Sequence, residues 1–191
     1  MIEQPLEAAL KALLPSDTSV EFIAGPARGD TDNAGFLREG SLLVLVFVTD
    51  EDDCSIQDPA RLRPVDAGTG PVPPGYDAGP PRVDICDDLE ALFPLTRYVE
   101  ALRTIRAPRD VLFGVISGWP ELFSMGDVLS VLEDSSGGCV DETGWTAAPT
   151  RLVELGSNFS RDFVGSICKV PDRRISERLA RHVAETACRP D

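Results

Sequence analysis

Apolar and polar residues follow two rhythms along this chain. Leu6, Ala9, Leu10, Leu13 and Leu14 recur at helical spacing, which predicts an amphipathic helix stopped by Pro15. Positions 16–40 are polar and rich in Gly, Asp and Asn, and read as a loop with a short turn at Phe36-Leu37-Arg38. Next comes Ser41 to Val48, apolar throughout and not alternating, the pattern of a strand buried on both faces, which predicts that it runs through the middle of a parallel sheet. It stops abruptly at Thr49-Asp50-Glu51-Asp52-Asp53-Cys54-Ser55. Residues 56–83 are crowded with Pro and Gly and read as an irregular inserted loop.

Leu92, Leu95, Val99, Leu102 and Ile105 or Arg106 mark a second helix, with Pro94 suited to its first turn. Asp110 to Ile116 reads as a second buried strand. Positions 118–150 are loop-rich, with a weak helix over 126–133; Arg151 to Phe159 predicts a short helix and Phe163 to Cys168 a short strand. A final helix has Asp172 as N-cap and Ile175, Leu179, Val183 and Thr186 or Ala187 as its stripe. Helices alternating with wholly apolar strands predict an α/β fold: a Rossmann-like three-layer sandwich on a mostly parallel, small sheet.

Composition narrows the function. With 191 residues, 42% hydrophobic and 26% charged, the chain suits one globular domain over 1–191. No apolar run reaches the length of a membrane span, and the first residues lack a signal-peptide pattern. The 18 Lys and Arg against 32 Asp and Glu leave a net charge of −14, which argues against nucleic acid as a partner. His182 is the sole histidine, which excludes three-His zinc centres. No Walker or dinucleotide-binding glycine motif occurs. Ser117 lacks the flanking glycines of a nucleophile elbow and reads as a loop hydroxyl. Trp119 and Trp145 fall in loops, as contact residues or as plugs on the core. Cysteines stand at 54, 86, 139, 168 and 188 with no C-x-x-C spacing; their places near element ends suggest disulfides and an exported protein, with the pairing open.

The acidic string after the first strand is the main candidate for chemistry. Ligands of open α/β sheets bind beyond the carboxyl ends of the strands, which is where Asp50 should stand. Asp50, Asp52 and Asp53 are candidate oxygen ligands for a hard cation, Mg²⁺ or Ca²⁺. A solvated acidic turn is the competing reading, because successive residues cannot all face one ion.

The string Leu45-Val-Phe-Val-Thr-Asp50-Glu-Asp-Asp-Cys-Ser55 resembles the fourth strand and following turn of von Willebrand factor A-like domains in exported bacterial proteins of the myxobacterial type. Tyr98-Val-Glu-Ala-Leu102, Phe113-Gly-Val-Ile-Ser-Gly118 and Gly165-Ser-Ile-Cys168 resemble the segments that follow it, in order. The chain lacks the Asp-x-Ser-x-Ser motif that opens such domains, so the resemblance covers only a C-terminal half, and a missing N-terminal half is expected. Of the family's metal-ion-dependent adhesion site only one aspartate carries over, onto Asp50. The resemblance implies a non-enzymatic binding module with a protein partner, periplasmic, extracellular or lipoprotein-anchored. The competing expectations are a structural fragment with neither metal nor partner, and a divalent-metal-dependent hydrolase. Beside the resemblance, Cys54 and Cys86 flank the insertion and Cys139 and Cys168 the later loop, which suggests those two bridges; Cys168–Cys188 is the alternative.

Overall fold

The computed structural model describes residues 3–58, 86, 88–118, 140–141, 144–168 and 173–188. Helix α1 spans Pro5–Leu13 and buries Leu6, Leu10 and Leu13. Strand β1 is Leu43–Val48, helix α2 Leu95–Ile105, and strand β2 Val111–Ser117. A two-residue ribbon, β3 (Val140–Asp141) and β4 (Gly144–Trp145), precedes the short helix α3, Thr150–Gly156. Strand β5 (Arg161–Ser166) and helix α4 (Arg173–Ala187) complete the order.

The sheet is parallel throughout, ordered β1-β2-β5, with Leu43 opposite Val111 and Leu112 opposite Arg161. Period-two geometry sorts the strand residues onto two faces. Leu43, Leu45, Phe47, Val111, Phe113, Val115 and Val164 pack against α1, α2 and α3. Leu42, Val44, Val46, Leu112, Ile116 and Phe163 meet Ile175, Leu179 and Val183 of α4. Two layers of helix thus enclose the sheet, an α/β three-layer sandwich of Rossmann-like kind. Both crossover helices, α2 and α3, lie on the same face, as crossovers of one hand stepping in one direction across a sheet must.

Three expectations change. Among the described residues β1 is an edge strand, and β2, buried at every position, is the central one. A continuous apolar run reports what lies above and below a strand and is silent about its lateral neighbours. Leu92 lies outside α2, which starts at Leu95 behind Pro94; it forms an antiparallel bridge with Ile56. Ile56 is 1% exposed and packs with Cys54, Ala91 and Leu92, so the insertion begins beyond it. The rest of the 56–83 loop, the helix expected over 126–133 and the Asp172 cap lie outside the described residues.

The polar stretch after α1 folds back on it. Gly29 N–H donates to Leu14 O and Arg28 N–H to Lys11 O, filling carbonyls that the helix end leaves open. A Cβ on Gly29 would stand 2.2 Å from Leu13 O, so only glycine allows this approach.

The Cys54–Cys86 bridge forms, with Cα atoms 5.1 Å apart, and closes the base of the insertion. Cys168 is also disulfide-bonded, and the expected Cys139–Cys168 pairing lies partly outside the described residues. Cys188 is a free thiol, which removes the Cys168–Cys188 alternative.

Candidate functional site: the acidic turn after the first strand

Three described helices start without a capping side chain of their own: α2, behind Pro94, and the two that start beside the turn after β1. Gln4 precedes α1 and Pro149 precedes α3, and neither contributes a side-chain hydrogen bond. Each leaves N–H groups that need acceptors. The turn after β1 supplies them. Asp53 Oδ1 accepts from Leu6 N–H of α1 at 3.1 Å. Asp52 Oδ2 accepts from Arg151 N–H of α3 at 2.8 Å and from the Thr150 hydroxyl at 3.0 Å; its Oδ1 takes Leu152 N–H at 3.3 Å. Consecutive aspartates therefore cap two different helices, with the positive ends of both helix dipoles favouring the charges.

Asp53 does more. It is 1% exposed. It accepts from Ser55 N–H (3.2 Å) and the Ser55 hydroxyl (2.6 Å) and pairs with Arg151 Nη2 at 3.4 Å. Arg151, itself buried, also donates to Phe93 O at 2.8 Å. One carboxylate thus ties α1, the turn, α3 and the entry to α2. Nearby, Arg97 on α2 grips Glu7 on α1 through two hydrogen bonds of 2.9 and 3.3 Å and lies over the Phe93 ring, 4.1 Å from its centroid.

Local electrostatics follow burial. Desolvation pushes the Asp52 carboxyl above its ordinary 3.8, and the hydrogen bonds from Arg151, Asp53, Thr150 and Leu152 pull it back only in part. Burial also raises the Tyr98 hydroxyl above its usual 10.0, with the charges of Glu7 and Asp53 adding to the effect. That hydroxyl is buried beside Ser55 and Glu7.

The three candidate ligands therefore part company. Asp52 and Asp53 turn inward to helix starts, each in its own direction. Asp50 is exposed and contributes its carbonyl, which accepts Ala147 N–H at 2.8 Å. Among the described residues no three His, Cys, Asp or Glu side chains gather around a common point. Thr146 and Ala147 run across the carboxyl end of the sheet as a strap, packed so closely that a Cβ on Gly118 would stand 1.9 Å from Thr146 Oγ1. The lip where a ligand was expected is covered by the chain itself.

Other singled-out residues also find places. Ser117 is the last residue of β2, fully buried, with no hydrogen bond to its hydroxyl, and not a loop residue. His182 is half-buried on α4, with its ring 6.0 Å from that of Phe163. Trp145 belongs to β4, and Trp119 lies outside the described residues. Sequence reasoning missed Thr150 and Arg151 as partners of the acidic turn. The available signal was the pair of starts at Gln4-Pro5 and Pro149-Thr150, which lack their own caps while carboxylates stand in surplus nearby.

Comparison with protein-family models, with curated proteins and with solved structures finds no match. Among the described residues, no helix is long and apolar enough to cross a membrane. The Cys54–Cys86 bridge accords with an extracytoplasmic setting.

Proposed function

We propose that this protein is a non-enzymatic binding module, an incomplete domain of the von Willebrand factor A-like kind, working outside the cytoplasm on a protein partner. One observation carries the reading: among the described residues, the two edges of the sheet are built differently. β5 holds Arg161 and Asp162, charged residues of the kind by which natural sheets discourage strand addition. β1 holds Leu, Val, Leu, Val, Phe and Val, with no charge, proline or glycine. An unguarded apolar edge is a liability in a free protein and a necessity in one that binds through it. The parallel order, and the position of Asp50 directly beyond β1, support the resemblance.

Display of random twelve-residue peptides against the immobilised protein tests the module reading. Enrichment of a peptide class on the wild type, lost on a Val46→Lys/Val48→Lys variant, supports it; identical recovery from both overturns it.

The commitment of Asp52 and Asp53 to helix starts favours a second reading, a structural fragment whose acidic turn is purely architectural. Any cation affinity of the module is centred on Asp50, the one carboxylate of the three candidate ligands that makes no hydrogen bond. Calorimetric titration with Mg²⁺ and Ca²⁺ separates the two: heat abolished by Asp50→Ala favours the module, and no heat favours the fragment. Metal-dependent turnover of phosphate or ester substrates, lost in the same variant, would favour a hydrolase over both.

A further inference from the structure

We infer that α4 and β5 carry a seat for a carboxylate, filled by an Asp or Glu side chain of a partner polypeptide. The seat lies on the other side of β2 from β1, and none of its residues belongs to the strand edge behind the binding-module reading. Charge is distributed unevenly along the chain. Positions 1–160 hold 11 Lys and Arg against 27 Asp and Glu, whereas 161–191 hold 7 against 5. Strand periodicity puts Arg161 and Phe163 on the face of β5 that meets α4. Arg161 Nη1 donates to Thr186 O, near the end of α4, at 2.9 Å. From α4, Arg178 and His182 stand one turn apart and both reach the Phe163 ring. The guanidinium carbon is 5.7 Å from the ring centroid and the imidazole 6.0 Å from it. Exposed Arg181 adjoins them on the helix.

These groups lack acceptors. Arg178 Nη1 and His182 Nε2 are shielded from solvent and make no hydrogen bond. Among the described residues, no carboxylate pairs with Arg161, Arg178, Arg181 or His182. Asp162, although next to Arg161, points to the opposite face of β5. A shielded donor without an acceptor is costly, and a carboxylate oxygen removes that cost. The guanidinium fork suits two such oxygens, and the aromatic face beneath holds it in place. Arg178 and His182 are each only half-buried, so the ends of both side chains can turn to a ligand arriving from solvent. The surroundings favour a discrete carboxylate over a polyanion. Exposed Glu177 and Glu185 alternate with the arginines along α4, and the molecule carries a net charge of −14. A nucleic acid or an anionic membrane meets repulsion from both, while a single acidic side chain meets mainly the cluster. A second copy of the chain meets the same net repulsion.

The test uses the intact, disulfide-bonded chain and three labelled peptides of Gly and Ser around a central pair of Glu, Gln or phosphoserine. Fluorescence anisotropy reads affinity. His182 is the sole histidine, so its imidazole NMR signals report on this seat alone. The Glu peptide should bind and shift those signals, and the Gln peptide should bind at least about tenfold more weakly. Arg178→Gln, with its unfolding midpoint checked, should weaken binding of the Glu peptide about tenfold. Arg181→Gln, a change at an exposed position, should weaken it about threefold. Salt near 1 M, where screening acts within about 3 Å, should weaken it further. Equal binding of the Glu and Gln peptides, or no binding of the Glu peptide, would overturn the carboxylate seat. Binding that leaves the His182 signals unmoved would overturn its location. Tighter binding of the phosphoserine peptide would overturn the carboxylate in favour of a phosphate. A concentration-dependent dimer that shifts the His182 signals without peptide would overturn the separate partner in favour of a second copy. Each of these results leaves the display experiment on β1 to be decided on its own.

Discussion

Asp53 is where a single substitution should cost most. Its carboxylate accepts from Leu6 N–H, Ser55 N–H, the Ser55 hydroxyl and Arg151 Nη2 at 3.1, 3.2, 2.6 and 3.4 Å, and almost none of it touches solvent. Asp53→Ala strips the α1 start of its acceptor and leaves the buried Arg151 guanidinium with a carbonyl for a partner and no counter-charge. Removing one member of a buried pair costs about 3–5 kcal/mol, a figure that includes the stranded charge. Against a total stability of about 5–15 kcal/mol for a domain, that is a large fraction. Asp53→Asn keeps the shape and one acceptor oxygen, so about half the loss is expected. Adding Arg151→Met to Asp53→Ala removes the stranded charge and should restore about 1–3 kcal/mol. Urea unfolding at neutral pH, with the disulfides intact and the m-value unchanged, measures each step. A loss below about 1 kcal/mol for Asp53→Ala, or no recovery in the double variant, would refute the claim that this carboxylate holds the two helices.

Other expectations follow from the same geometry. Asp52 titrates above its ordinary 3.8 in the folded chain, so between 3.8 and that raised value the folded state holds the proton more often than the unfolded one. Its contribution to stability is therefore full below 3.8 and falls as pH rises through the folded value. Asp52→Asn should flatten that part of the stability–pH curve, and an unchanged curve would remove the assignment. Replacing Cys54 and Cys86 together by Ala frees a loop with a sequence separation of 32 and should cost about 4 kcal/mol on the chain-entropy argument, read as a lower unfolding midpoint. Gly118→Ala forces a methyl into Thr146 and should lose about 1–3 kcal/mol, part of which Thr146→Gly restores. Gly29→Ala, aimed at the Leu13 carbonyl, should destabilise the end of α1 and raise amide exchange there.

What the sequence made legible, and what it did not, divides along physical lines. Helical spacing from Leu6 to Leu14 and the unbroken apolar runs at Ser41–Val48 and Asp110–Ile116 report burial, and burial makes the elements, so α1, β1 and β2 were readable. Lateral order was not readable, because an edge strand covered on both faces and a central strand share one composition; only the Arg161-Asp162 pair in β5 hinted at where an edge lay. The acidic turn stands out in the sequence because adjacent carboxylates need compensation. The compensation came from backbone N–H groups of helices about 50 and 100 positions away, Leu6 and Arg151, which no local spacing reveals. Ile56 and Leu92 misled in the same way: each closes a loop base by meeting the other, a contact invisible to periodicity.

Carboxyl-carbon NMR during a Mg²⁺ titration tests most directly whether the acidic turn is an internal clamp. The Asp52 and Asp53 carboxyl signals should stay fixed through about 10 mM Mg²⁺, with Asp50 the only member of the three able to respond. Concerted movement of Asp50, Asp52 and Asp53 at a single midpoint would mean that the three oxygens share an ion, and the clamp would be contradicted.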